Sequence, residues 1–166
     1  MQSEELKSIQ QPLKEQYKSD PESAVVTLHA SARLGEGITC SVETGKALVT
    51  AGLHPATGGT GMAACSGDML LEALAACAGV TMNAVATSIA FQLEDAIIYA
   101  EGDLDFRGTL GVSKEALVGF KNIRLRFVLQ TNESEERKAT LIKLTERYCV
   151  VLQTLKNMPE ITSEIA

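Results

Sequence analysis

The 166 residues carry 21 acidic against 15 basic side chains, a formal net charge of −6. No run of Lys and Arg offers the clustered cations that a phosphate backbone demands, so nucleic acid is excluded as a partner. Apolar residues make up 45% and aromatics only 4%, with no Trp, so the core of this domain-sized chain is expected to be aliphatic.

The polar N-terminus, MQSEELKSIQQPLKEQYKSD, has no apolar h-region and does not read as a signal peptide. Residues 4 to 18 read as a weakly amphipathic helix punctuated by Pro12. Residues 1 to 23 form an arm outside a single domain over 24 to 166. From Ala24 the pattern turns to β: AVVTLHASARL alternates, GEG leads into ITCSVE, and TGK leads into ALVTAGL, a three-stranded meander. A Gly- and Thr-rich loop, HPATGGTGMAACSGD, then delivers a long helix from Ser66 to about residue 91, with Asp68 in its first turn. Asp68, Glu72, Ala76, Gly79, Asn83 and Thr87 share a narrow stripe, the remainder is apolar, and the helix is expected to be largely buried with Cys77 on its apolar side. LEDAIIYAEGDLDFRG and FKNIRLRFVLQ read as strands, and TNESEERKATLIKLTERYCVVLQTL as one capped helix with Leu141, Leu144, Tyr148, Val151 and Leu155 on one face. NMPEITSEI closes the chain as a turn and an edge strand. The order predicts an α+β fold. No segment offers the roughly 20 uninterrupted apolar residues of a spanning helix, so no membrane partner is expected and the cytoplasm is the expected location.

In that compartment thiols stay reduced, so Cys40, Cys65, Cys77 and Cys149 are free, metal-bound or redox-active rather than a disulfide framework. They contain no C-x-x-C pair, and His29 and His54 stand alone, so no metal site is expected. GTGMAA matches the letters of a dinucleotide fingerprint, but His54 to Thr57 separate it from the strand and the helix starts beyond it. A connector is the plainer reading. No G-x-S-x-G elbow supports a serine hydrolase. Cys77 and Cys149 remain. Either is ordinarily a core residue. Burial raises a thiol's pKa, and a mid-helix Cys77 gains nothing from its own helix N-terminus, so a reactive Cys77 is expected to need an Arg or Lys from elsewhere in the fold.

The run GGTG followed by DMLLEALAACAGVTMNAV resembles the signature of the OsmC/Ohr family, a Gly-rich loop before a helix of the form P-x-E-L-L-x-A-A-L-x-A-C. ERYCVVLQTL resembles that family's second cysteine motif, R-Y-C-P-V-x-x-T-L. The resemblance spans roughly residues 25 to 160, and the meander and later strand pair fall in the family's order. It implies an OsmC-like fold, an intertwined homodimer with active sites at the subunit interface, and a thiol peroxidase acting on organic hydroperoxides. By that resemblance Cys77 is the peroxidatic thiol and Cys149 resolves it as a disulfide, which a dithiol reductant such as a lipoyl-type group reopens; no cofactor is implied. Arg33, the one arginine of the first hairpin, corresponds to the family's activating cation, and Asp68 to the carboxylate that orients it. Val150 stands where the family often has proline, so the helix is expected to run through Cys149 and leave it less activated. Cys40 and Cys65 are read as structural or incidental. Two other readings stay open: a non-catalytic homodimer of the same scaffold binding a small apolar ligand in the interface cleft, and a nucleotide-binding module using the glycine loop.

Overall fold

The computed structural model describes residues 4, 8, 11, 19, 31–34, 39–43, 48–111 and 113–165, with the backbone alone at 31–34, 39–43, 48 and 107. Residues 24 to 30 of the first expected strand, His29 and nearly all of the N-terminal arm lie outside the described residues. Among the described residues the architecture is α+β: two small sheets and three helices of more than one turn. The contacts divide it into two compact units, Lys14–Glu72 with Ala100–Leu125, and Met1–Leu13 with Ala73–Tyr99 and Arg126–Ala166.

In the first of these units, β1 (Ser31–Leu34), β2 (Thr39–Glu43) and β3 (Leu48–Gly52) form the expected antiparallel meander. Its register pairs Leu34 with Cys40 and Thr39 with Gly52. The glycine loop then makes a single 3-10 turn, Pro55–Thr57, whose His54 cap accepts the Ala56 amide on Nδ1 at 3.0 Å and stacks on Phe106 at 4.8 Å. His54 therefore has a structural use. Gly59 lies against the Leu53 carbonyl, where a Cβ would sit 1.7 Å from the oxygen, and Gly61 has φ +76, so both demand glycine. β4 (Ala64–Cys65) follows, parallel to β3, and helix α1 (Ser66–Ser88) opens directly from it. Past α1, β5 (Asp95–Leu104) pairs with β6 (Phe120–Gln130), and a helical turn, Phe106–Thr109, lies between them. Gly102 makes room for the Phe120 ring, which an added Cβ would meet at 2.5 Å. Arg124 clamps the Asp103 carboxylate through both guanidinium nitrogens, and its hydrogen bond holds that carboxyl below the usual carboxylate range.

The second unit holds the remainder of α1, the start of β5, the end of β6, and helices α2 (Glu135–Tyr148) and α3 (Val150–Lys156). Its aliphatic core gathers Met82, Val85 and Ala86 of α1 with Phe91 and Leu141. Helix α1 stops at Ser88, three residues before the expected end, in a two-bond C-cap. The Ala90 amide donates to the Thr87 carbonyl at 3.3 Å and the Phe91 amide to that of Ala86 at 2.8 Å. Ala90 occupies the left-handed position at φ +50, where glycine is usual. Arg137 of α2 donates to the Ala90 carbonyl at 3.0 Å and ion-pairs with Glu133 at 2.7 Å, which docks the start of α2 on this cap. Ser134 caps α2 by accepting the Arg137 amide, and Glu135 and Glu136 complement the dipole.

Two expectations need correction. Helix α1 buries one face, Leu74, Ala78, Met82, Val85 and Ala86, while Val80 stays 72% exposed. It is also long and apolar enough to cross a membrane by length and composition, with mean hydropathy 1.6, although Glu72 and Asn83 interrupt the sequence. The closing segment after Asn157 is without regular structure through residue 165, so the edge strand is not formed. Pro159 lacks the amide that strand pairing would use.

Candidate functional site

The C-terminal helix is not continuous. Helix α2 ends at Tyr148, α3 begins at Val150, and Cys149 belongs to neither: it is the C-cap of one and the N-cap of the other, with φ −70 and ψ 105. This corrects the single helix expected from Val150 in place of proline. The break is held by side chains rather than by a missing amide. Gln153 of α3 reaches back to the Glu146 carbonyl at 2.8 Å, satisfying one of the acceptors that a helix end exposes. Lys156 approaches the Glu146 carboxylate at 3.8 Å.

The break aims the first amides of α3 at α1. Cys149 is fully buried, Cys77 is half-buried, and both are free thiols close enough for each to act on the other. Burial pushes the Cys77 thiol up. Against it act the Val151 amide, the Cys149 thiol, the Thr81 hydroxyl and the Val150 amide, and together they hold Cys77 below the ordinary thiol range. Cys149 moves the other way. Burial pushes it up, the Leu152 amide opposes, and the Cys77 side chain pushes it further up, both as acceptor and as charge. The two thiols are thus displaced in opposite directions. Among the described residues the groups acting on Cys77 are neutral donors.

Sequence reasoning missed these donors. Thr81 could have been found from its spacing, one turn after Cys77 on the same helix face. The amides of Val150 and Val151 could not, because the break that frees them has no Gly or Pro to announce it. The buried row on α2 is Leu141, Thr145 and Cys149, while Tyr148, expected on the buried face, is 56% exposed.

The other expected residues lie elsewhere. Arg33 sits in β1 opposite Ser41, and its side chain is outside the described residues. Asp68 is exposed in the first turn of α1. Nine residues before Cys77 on one continuous helix is about 13.5 Å of rise, so it does not touch that sulfur. Cys65 ends β4 and Cys40 lies in β2. Among the described residues no three His, Cys, Asp or Glu side chains converge as a metal site would need.

Residues 59–164 match the family model described as "OsmC-like protein". The chain belongs to the OsmC/Ohr family. Its fold is similar to that of an OsmC-like protein from Mycoplasma pneumoniae (TM-score 0.68, 18% identity, covering 80% of this chain and 89% of that one). It is also similar to an organic hydroperoxide resistance protein, OsmC, from Legionella pneumophila (TM-score 0.63, 20% identity, covering 80% and 91%). A third likeness is to an organic hydroperoxide resistance protein from Elizabethkingia anophelis (TM-score 0.63, 15% identity, covering 81% and 91%). No curated protein sequence matches the chain.

Proposed function

We propose that this protein is a cytoplasmic thiol peroxidase that reduces organic hydroperoxides and works as a homodimer. The observation that carries the reading is the contact between Cys77 and Cys149, two thiols 72 positions apart in sequence brought together at a helix break with opposite pKa displacements. The Cys77 thiolate attacks the terminal peroxide oxygen. An S–O bond forms, the O–O bond breaks, and the alkoxide takes up a proton and leaves as alcohol. Sulfur gives up two electrons and the peroxide receives them. Cys149 then attacks the Cys77 sulfenic acid, forming the disulfide and releasing water, and a dithiol restores both thiols by exchange. The apolar residues flanking Cys77 on α1 favour alkyl or lipid-like hydroperoxides over very polar ones. Arg33 and Asp68 are proposed as activating and orienting groups, on the family resemblance.

The test is one equivalent of an organic hydroperoxide on reduced protein, followed by disulfide mapping. We expect a Cys77–Cys149 link with peroxide consumed, turnover abolished in Cys77→Ser, and turnover intact in Cys40→Ser. Four unchanged thiols would overturn the peroxidase reading in favour of a ligand-binding scaffold.

A further inference from the structure

A threonine inside a helix has a local partner within reach, since its hydroxyl can turn back onto the carbonyl four residues earlier. Thr87 takes it in α1, donating to the Asn83 carbonyl at 2.8 Å, and Thr140 takes it in α2, donating to the Glu136 carbonyl at 2.9 Å. Thr145 does not. Its hydroxyl is fully buried and has no hydrogen-bond partner among the described residues, the Leu141 carbonyl included. Among those residues no other buried side-chain nitrogen or oxygen is left so. The position is one turn before Cys149. The Cys149 amide donates to the Thr145 carbonyl at 2.9 Å, so helical spacing holds through Cys149 although α2 ends at Tyr148. Side chains four apart have Cβ atoms about 5–6 Å apart on one face. A helical threonine divides between two χ1 wells, and a change of well at Thr145 turns its hydroxyl toward the Cys149 sulfur.

We propose that Thr145 is a catalytic residue of the resolving step, its hydroxyl donating to the Cys149 sulfur as that sulfur attacks the Cys77 sulfenic acid. The proposal rests on the peroxidase reading for its chemistry. In that step Cys149 loses its proton, the S–S bond forms and the Cys77 S–O bond breaks. Hydroxide leaves and takes the proton as water. Negative charge therefore develops on a fully buried sulfur, where water cannot solvate it and a fixed donor is worth most. In the reduced protein the same sulfur is a free thiol, a weak acceptor, and the hydroxyl gains little by facing it. The donor left idle at rest is the one the second step calls for.

The test uses the full chain with Thr145→Val, which keeps the shape and removes the donor, and Thr145→Ser, which keeps the donor. Reduced protein is mixed with one equivalent of tert-butyl hydroperoxide. Peroxide loss reads the first step, and decay of the Cys77 sulfenic acid, trapped with dimedone at timed intervals, reads the second. In Thr145→Val the first step is expected to keep its rate and the second to slow about three- to fourfold. Losing the donor raises the Cys149 midpoint by about one pH unit, tenfold in thiolate, and the more basic sulfur regains about half of that logarithm in nucleophilicity. Thr145→Ser should resolve at the wild-type rate. An unslowed second step in Thr145→Val overturns the proposal. Equal slowing in the Ser and Val variants overturns it too, since the methyl and not the hydroxyl would then matter. Should Thr145→Val fail to fold, Thr145→Ala against Thr145→Ser makes the same comparison. A wild-type chain that consumes no hydroperoxide would sink the peroxidase reading instead. The Thr145 contact is then decided by thiolate absorbance of Cys149 against pH, in chains with Cys40, Cys65 and Cys77 replaced by Ser. A midpoint about one pH unit higher with Val than with Thr supports the contact, and equal midpoints overturn it.

Discussion

At the scale of single residues, the second threonine beside the cysteine pair is the more unusual. Thr145 is fully buried on α2, one turn before Cys149, and its hydroxyl has no hydrogen-bond partner among the described residues. A buried hydroxyl without a partner costs about 1–3 kcal/mol, whereas an apolar group of the same shape costs nothing comparable. Thr145→Val is therefore expected to stabilise the reduced protein by about 1 kcal/mol, read as a higher denaturant midpoint at unchanged slope. A loss of stability instead would mean that the hydroxyl is bonded in solution. The pattern was half legible in the sequence. Cys77 stood out by its motif, whereas Thr81 and Thr145 look like any helical threonine until the cysteines are placed beside them.

At the scale of elements, the junction between α2 and α3 determines what the cysteines can do. Sequence signals predicted well the elements whose ends carry local chemistry. Strand β6 runs from Phe120 to Gln130 as its alternation indicates, bounded by Gly119 and the polar run before Ser134. The start of α1 at Ser66 was equally readable. The break at Cys149 was not, because Val150 and Val151 carry no stop signal and the contacts that hold it come from Gln153 and Lys156, later in the chain. A proline at 150 should fit this geometry. It would occupy the first position of α3, and Cys149 already has the extended backbone required before proline. Val150→Pro is expected to keep the helical circular dichroism and raise the Cys77 alkylation midpoint, since one of its amide donors is lost. The sign follows directly: less stabilisation of the thiolate means a higher pKa and less thiolate at any pH below it. An unmoved midpoint in the folded variant would show that the Val150 amide does not act on the sulfur, and unfolding would show that the break does not accept proline.

At the scale of the molecule, the outward side of α1 calls for a cover. A helix with mean hydropathy 1.6 leaves Val80 72% exposed in a single chain, and the proposed homodimer supplies a cover. Val80→Asp is expected to shift the protein from dimer to monomer in light scattering, because a charge would be buried without a partner. A dimer that persists in the variant would place the interface elsewhere. This part of the fold was legible only as excess apolarity, since one sequence does not reveal whether its own core or a second copy receives such a face.

Cys77 lies midway along the central helix and Cys149 at the α2–α3 joint of the same compact unit. Bonding them would lock β5, β6 and all of α2 inside a covalent ring of about 73 residues, worth on the order of 4 kcal/mol against unfolding by chain entropy alone. Each catalytic cycle would then swing the protein between a sturdier and a looser form, so that its lifetime under heat or proteolysis would register how much oxidant it had met.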